Sequence, residues 1–569
     1  MELRVWAPYA SHVDAVVDGA WHRMRDAGFG WRAVEVERVG RYAFSLQGGP
    51  PRPDPRSRAQ PDGVHAPSAW VDIEPPRDGW RGFPLRDAVL YELHVGTFTP
   101  EGTLDAAIAK LDHLVGLGVN AVELMPLAAF PGRRGWGYDG VDLYAVHEAY
   151  GGPHALRRFV DAAHARGIAV VLDVVYNHLG PDGNFVSEFG PYFTDRHRTP
   201  WGEALNFDGR ESDNVRAFVL DNAAQWFRDF GIDGLRLDAV QAIIDLSAVH
   251  ILEELSVLRD RLAGELGRTL WLMAESDLND PRLVDWRDRN GYGLDAQWSD
   301  DFHHALHVAL TNERVGYYGD FDGLPDVSKA LTDAFVYDGR YSPFRHRRHG
   351  RPATSIPSDH FIVSLQNHDQ VGNRARGERI AHLTGARRAQ AAAALLLTAP
   401  YVPLLFMGEE WAASAPFLYF TDHVDPELAR SVSDGRRYDF AAFGWQPGDV
   451  PDPQDPATFV ASRLNWSELE RSPHRETLDW YRSLIRLRRD APAIREAPRE
   501  ATRISCDAAA GWIAVRRGPL QVLVNLGSSP AEVPAEEAGT VAAASDEAID
   551  IAHGRVRLPP ESAAALLAE

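Results

Sequence analysis

"GLRLDAV", residues 234–240, sets an arginine and an aspartate two positions apart inside an apolar run. Side chains alternate across a strand, so Arg236 and Asp238 share one face while Leu235 and Leu237 take the other. The same kind of run recurs on both sides of it. "AVLYELHV" (88–95), "NAVELMPL" (120–127), "IAVVLDVVYNH" (168–178), "LWLMAES" (270–276), "LDAQWSDD" (294–301), "FIVSLQNHD" (361–369) and "VPLLFMGEE" (402–410) are all short, apolar and rich in β-formers. Helical stretches separate most of them. Leu104, Ile108, Leu111 and Val115 fall at helical steps behind a Thr103 cap, which predicts one helix over 104–118. Val215, Phe218, Val219, Asn222, Trp226 and Phe230 do the same after Asn214. Eight strands alternating with helices pair in parallel through right-handed crossovers, and that number closes a (β/α)8 TIM barrel. The alternative is an open doubly wound sheet, but no Gly-rich phosphate loop follows any of these strands.

The flanks differ in kind. Residues 1 to about 75 alternate apolar and polar residues between Gly-containing turns, which reads as a set of short strands. "GGPPRPDPRSRAQPDGVHAPS" (48–68) has no period and suits an extended connector or a loop lying on the next domain. "ATRISCD", "GWIAVRRG", "LQVLVNLG" and "RVRLPP" predict a small C-terminal β domain after about residue 495. The expected organisation is therefore 1–80 for an N-terminal β module with its linker, 81–495 for the barrel, and 496–569 for the last domain. A loop insertion, 179–213, carries no clear helix and is long for a βα connection, which marks it as functional or as a small subdomain.

Composition narrows the class. The 569 residues are 45% hydrophobic and 25% charged, ordinary for a globular chain. A net charge of −22 argues against nucleic acid or an anionic membrane as partner. The single cysteine, Cys506, excludes an internal disulfide and a cysteine-based metal site. "MELRVWAPYA" lacks the apolar core of a secretory signal. The longest apolar stretch, 391–407, is broken by Pro400 and Pro403 and reads as a buried helix, a turn and a strand. The expectation is a soluble, cytoplasmic protein.

Strand ends of a parallel barrel converge on one rim, where chemistry is done. Those ends carry Asp173, Asn177 and His178; Arg236 and Asp238; Glu275; Asp300 and Asp301; His368 and Asp369; and Glu409 and Glu410. Singly, each has a structural explanation. Arg236–Asp238 could be a buried ion pair tying strands together, though such pairs are costly to desolvate. Asp173, deeper in its strand, would order its neighbours, and Glu409 and Glu410 could be a rim or a helix start. Together they suggest more. Asp238 and Glu275 close consecutive strands about 4.8 Å apart, so their carboxyls can meet at the roughly 5–5.5 Å of a retaining glycosidase. One carboxylate attacks the sugar carbon, and the other must begin protonated. Arg236 would keep Asp238 ionised, while Trp271 and Met273, on the face of Glu275, would help hold that residue protonated. No cofactor is needed. A zinc hydrolase remains an alternative, but HExxH and Cys-based spacings are absent.

"DVVYNH" (173–178), "GLRLDAV" (234–240), "AES" (274–276) and "QNHDQ" (366–370) resemble, in order, the four sequence regions of the α-amylase family of glycoside hydrolases. The resemblance implies Asp238 as nucleophile, Glu275 as general acid/base and Asp369 as transition-state stabiliser. It also implies that His178, Arg236 and His368 contact the sugar in the cleaved subsite and that Tyr138, in "WGYDGVDLYA", stacks on it, although core packing would also account for an aromatic there. "QNHDQVGNRA", "AESDLNDPRLV", "PLLFMGEEW" followed by "PFLYFTDH", and "VPDPQDPATF" narrow the likeness to members acting on maltooligosyl trehalose. "VWAP" resembles the β-sandwich module ahead of those enzymes and of branching and debranching enzymes.

The implied reaction cleaves the α-1,4 bond next to the trehalose end of that substrate and releases trehalose and a maltooligosaccharide with retained configuration. The implied metabolic partner is maltooligosyltrehalose synthase, which makes the substrate. A glycogen branching enzyme, another α-1,4-glucan-acting member, and an inactive sugar-binding protein are the alternatives. Many relatives use the residue at Asn177 to hold calcium with acids of the third loop, here Asp182, Glu188 and Asp195; the expectation is no metal. Trp201, Phe193 and Phe185 are candidates for the acceptor-side wall, although core packing explains them equally well.

Overall fold

The eight runs close into one parallel barrel in the computed structural model, which describes residues 1–77, 79–441, 445–535, 539–552 and 554–568. Its strands are Leu90–Leu93 (β1), Ala121–Leu124 (β2), Ala169–Val174 (β3), Gly234–Leu237 (β4), Trp271–Ala274 (β5), Ala296–Trp298 (β6), Phe361–Ser364 (β7) and Val402–Phe406 (β8). Each pairs in parallel with the next, and β8 returns to β1. Strands covered outside by helices and packed inside bury both faces, which is why their sequences run apolar instead of alternating. All of β4 is buried. Gly234 opens it because a Cβ there would stand 3.1 Å from Val171 Cγ2 and 3.3 Å from Trp271 Cβ, pressing on both neighbouring strands.

The barrel interior is divided along its axis. An apolar plug that includes Val171, Trp271, Met273 and Leu404 fills much of it. Glu92, Glu123, Asp173 and Arg236, each one residue from the C-terminal end of its strand, are buried toward the other mouth. Four ionisable side chains on four successive strands therefore face the rim from below.

The surrounding helices follow the expected stripes with two corrections. Residues 104–118 are not one helix: Leu104–Ile108 and Leu111–Leu117 are separated at Ala109–Lys110. The break shifts the phase, so Leu114 and Leu117 are buried while Val115 is 45% exposed. Thr103 caps as expected, its side chain accepting from Ala106 N–H at 3.2 Å. The second helix begins at Ser212, before Asn214, and continues past Gln225 as a π-turn, Trp226–Phe230. Asn214 does not cap it; Asn214 Oδ1 accepts from Trp31 Nε1 at 3.1 Å, joining the N-terminal strands to the barrel. The 391–407 stretch is the end of the helix Ala386–Leu397 followed by β8, as read from the sequence.

Residues 179–213 hold what the sequence did not announce. A short helix, Val186–Phe189, precedes an antiparallel hairpin of Phe193–Thr199 and Gly202–Leu205. The N-terminal strands form two antiparallel sheets, and the C-terminal strands form a five-stranded and a three-stranded sheet. The connector lies on the barrel: Arg56 reaches Tyr144 and Asp221 at 3.0 and 2.8 Å, and Arg58 reaches Asp229 at 2.6 Å. Among the described residues no helix is long and apolar enough to cross a membrane.

Asp233 anchors the entry to β4. It accepts from Trp80 Nε1 at 2.8 Å, Val170 N–H at 2.8 Å and Arg268 Nη1 at 2.7 Å, and meets His164 Nε2 at 2.7 Å. Truncating it leaves a largely buried guanidinium without its carboxylate. Asp233→Ala is expected to lose about 3–5 kcal/mol of stability, measured as a lowered denaturation midpoint; a variant as stable as the parent would show that this cluster does not hold the strand.

Candidate active site

Asp238 leaves β4 with its backbone still paired, its N–H donating to the Val174 carbonyl at 3.0 Å. Both carboxylate oxygens are taken. Arg236 Nη1 donates to Oδ1 at 2.6 Å, and Asn177 Nδ2 donates to Oδ2 at 2.7 Å. The same Asn177 amide also reaches the Asp238 carbonyl at 2.7 Å. Asn177 thus orients Asp238 through its amide nitrogen, while its Oδ1 meets His178 Nδ1. Asp182 pairs with His65, Glu188 pairs with Arg52, and Asp195 is exposed. Among the described residues no three His, Cys, Asp or Glu side chains converge as a metal site.

Arg236 lies beneath, fully buried, and binds Asp173 at 2.9 Å as well as Asp238. Its guanidinium also sits 4.6 Å from the centre of the Trp298 ring, a cation–π contact. Arg236 Nη2 is 3.8 Å from Glu275 Oε2. Arg236 therefore ties β3 to β4 and holds the Asp238 carboxylate with the same guanidinium.

Glu275 follows β5 and meets the residue after Asp238. Ala239 N–H donates to Glu275 Oε2 at 2.6 Å, and Glu275 N–H donates to the Leu237 carbonyl at 3.0 Å. Ala239 adopts a left-handed conformation, φ 40° and ψ 52°, which costs a non-glycine residue energy and is the kind of strain found at functional sites. Burial pushes the Glu275 carboxyl up to about 8; Arg236 opposes this, and Asp238, Asp300 and Asp369 add to it. An acid able to keep its proton near neutrality stands next to a carboxylate held by two donors.

The other expected residues gather around this pair. Asp369 follows Asn367, whose side chain caps the short helix His368–Gly372 by accepting from Asp369 and Gln370 N–H at 3.0 and 3.1 Å. Its own side chain is 47% exposed and accepts from Asn373 Nδ2 at 3.1 Å. Tyr138 donates its hydroxyl to Asp173 at 2.6 Å and stacks on His368, with ring centres 5.3 Å apart. His178 Nε2 is 3.0 Å from the Tyr138 carbonyl. Tyr138, His178, Asp238, Glu275, His368 and Asp369 all line one cavity of about 410 Å³, with Arg236 under its floor.

A second cavity, about 290 Å³, adjoins the first and shares Glu275, Asp369 and Asn373 with it. Its remaining walls include Trp298, Asp300, Tyr317, Phe344 and Arg345, with Arg345 held by Asp277 at 3.0 Å. Sequence reasoning did not single out Tyr317, Phe344 or Arg345. Phe344 and Arg345 sit in the turn between Asp338–Ser342 and Arg347–Gly350, within the long β6–β7 connection, and no motif marks them. Of the three aromatic candidates for this wall, Trp201 instead stacks on His178 in the first cavity, ring centres 4.8 Å apart. Phe185 and Phe193 line neither cavity and pack against the core. Asp301, Glu409 and Glu410 are structural. Asp301 accepts from Val336 and Tyr337 N–H at 2.7 and 2.8 Å, Glu409 from Tyr481 at 3.0 Å, and Glu410 from Tyr91 at 3.1 Å.

Comparison with known proteins agrees with this geometry. A family model described as "Alpha amylase, catalytic domain" matches residues 57–198, and one described as a domain of unknown function matches 499–565. The malto-oligosyltrehalose trehalohydrolase of Arthrobacter ramosus is 53% identical over 97% of this chain and 96% of its own. The protein of the same name from Rhizobium sp. (strain M-11) is 48% identical over 99% of this chain and 97% of its own. A crystal structure described as a putative alpha amylase from Salmonella typhimurium superposes with a TM-score of 0.91 at 39% identity, covering 100% of this chain and 97% of that one.

A raised carboxyl pKa in the folded state means that the fold binds a proton that the unfolded chain has lost. Glu275 therefore weakens the fold progressively as pH rises from its ordinary 4.5 to about 8. Glu275→Gln lacks this penalty, so its melting temperature relative to the parent is expected to climb across that window and level off above it. A difference independent of pH would refute the assignment of the shift to Glu275.

Proposed function

The chain belongs to the malto-oligosyltrehalose trehalohydrolases of the α-amylase family, and on that premise we propose that it hydrolyses the α-1,4 bond joining trehalose to the rest of a maltooligosyl trehalose. The observation that carries this reading is the position of Glu275. It lines both cavities, while Asp238 lines only the first. The maltooligosyl part occupies the first cavity, trehalose the second, and the scissile oxygen lies between them at the acid.

The steps follow from the groups present. Asp238, both oxygens held, attacks the anomeric carbon of the sugar in the first cavity. Glu275 gives its proton to the glycosidic oxygen as that bond breaks, and trehalose leaves. Asp369 and the Arg236–Asp238 pair meet the positive charge that develops on the ring. Water then enters and loses a proton to Glu275, and its oxygen displaces Asp238 to give a maltooligosaccharide of retained configuration. Tyr138 and Trp201 offer aromatic surface to the donor sugar, and His178 and His368 offer polar contacts, while Arg236, fully buried, acts through Asp238. Phe344 and Tyr317 give the second cavity its apolar surface, and Arg345 with Asp300 gives it charged groups for sugar hydroxyls. The substrate would come from maltooligosyltrehalose synthase. Branching would require a glucan hydroxyl in place of water, and the family placement does not favour it.

Incubation with maltooligosyl trehalose is expected to release free trehalose and an α-configured oligosaccharide, resolved by NMR. New α-1,6 linkages, or the β anomer, would overturn the reading. Glu275→Gln should lower kcat by about 10²–10⁴-fold while glucan still binds, and activity of the parent should fall as pH rises through about 8. Arg345→Ala should raise KM for maltooligosyl trehalose more than for a linear maltooligosaccharide; equal effects would separate this residue from trehalose recognition.

A further inference from the structure

Glu92, on β1, lines neither cavity, yet it holds one of the residues that does. Its Oε2 accepts from the backbone N–H of His368 at 2.9 Å, and its Oε1 meets His368 Nδ1. On the far side of the ring, His368 Nε2 is 2.8 Å from the Tyr138 hydroxyl oxygen. That hydroxyl has one proton, and it points at Asp173 Oδ2, 2.6 Å away. Asp173 in turn takes Arg236 at 2.9 Å. Donors then run in a single direction only if Nε2 carries a hydrogen for the tyrosine oxygen. A carboxylate at Nδ1 requires a hydrogen there too. With a neutral ring, Tyr138 would have to choose between His368 and Asp173.

We propose that Glu92 is a positioning residue of the donor subsite: its carboxylate keeps the His368 ring doubly protonated, and the ring in turn fixes the Tyr138 hydroxyl and aromatic face beside Asp369. The inference rests on reading the first cavity as the donor side. Glu92 reaches substrate only through His368 and Tyr138.

The charges around the ring agree. His368 faces Glu92 on β1, Glu123 on β2, Asp173 on β3 and Arg236 on β4, with His94, Tyr138 and Asp369 from the loops. Burial alone would discharge the imidazole, and Arg236 repels it. Glu92 and Asp369 outweigh both, and the ring is pushed up to about 9. His94 is driven down to about 3 by burial and stays neutral. Glu123 lies opposite Glu92 in the strand register, fully buried, and neither of its oxygens has a hydrogen-bond partner among the described residues. Burial and the neighbouring Glu92 raise it far above the usual carboxyl range. Of this adjacent pair, Glu123 is the one driven to keep its proton, and Glu92 is the one hydrogen-bonded to His368.

The test compares the full chain with Glu92→Gln, Glu92→Asp and Glu123→Gln, measuring kcat and KM from pH 5 to 9. Without the carboxylate, burial and Arg236 are opposed chiefly by Asp369, so His368 loses its second proton no higher than the ordinary histidine value of about 6.5. Glu92→Gln is therefore expected to lose about 10²-fold in kcat near pH 8 with little change in KM, and to recover toward the parent as pH falls below 6. Glu92→Asp keeps the charge, so its ratio to the parent should be flat with pH. Glu123→Gln should reproduce the pH profile of the parent. A Glu92→Gln ratio that does not change with pH, or an unchanged kcat, would overturn the proposal. If that variant does not fold, a Glu92→Asp ratio that recovers at low pH would do the same. The ratios are read on whichever α-1,4-glucan the parent cleaves, whereas the parent failing to release trehalose would count against the function and not against Glu92.

Discussion

A guanidinium sealed inside a barrel is an expensive thing to build around, and Arg236 is the group on which this site depends. Removing such a charge from water costs several kcal/mol, which is recovered only when carboxylates and hydrogen bonds surround it closely. Asp173 and Asp238 do so at 2.9 and 2.6 Å, and the Trp298 ring closes another side. The consequence runs upward. If Asp238 rotated away the arginine would lose one of its two close carboxylates, and the other, Asp173, holds the Tyr138 hydroxyl beside His368. Stability and chemistry share one cation.

Above this, two carboxyls that differ by a single methylene have opposite surroundings. Asp238 is met by an amide and a guanidinium. Glu275 is buried among further acids, receives one main-chain N–H, and stands 3.8 Å from the arginine. Asp300, itself pushed up to about 7 by burial and by Asp369, adds to the pressure from the second cavity. The acceptor wall thereby contributes to the acid's proton affinity as well as to the shape of the pocket.

The barrel was legible because strands buried on both faces leave continuous apolar runs, and polar residues interrupt those runs where the rim begins. Asp238, Glu275 and Asp369 stood out at the rim for that reason, the family likeness singled out His178, His368 and Tyr138 as well, and the fold brings all six to one cavity. The hairpin in the third loop was not readable. Its first strand, "FTDRHRT", is largely exposed, so it has neither a core-facing alternation nor an apolar run. The helix after β1 was misread at Val115 because a two-residue break resets the phase, and periodicity assumes an unbroken screw. Phe344 and Arg345 reach the second cavity from a turn in a long connection, and only tertiary folding brings them there. No sequence signal showed that the Asn177 amide nitrogen would hold the Asp238 carboxylate and carbonyl, a contact made only across two strand ends.

The backbone at Ala239 decides which face of the acid is available. Its amide occupies Oε2 of Glu275, so a labile hydrogen is left to Oε1, the side from which a departing alcohol would approach in the proposed reaction. Because the group responsible belongs to the peptide chain, exchanging side chains at this position would not reverse the handedness of protonation. Redesign of the leaving group would have to begin with the walls that receive it, leaving the acid where it is.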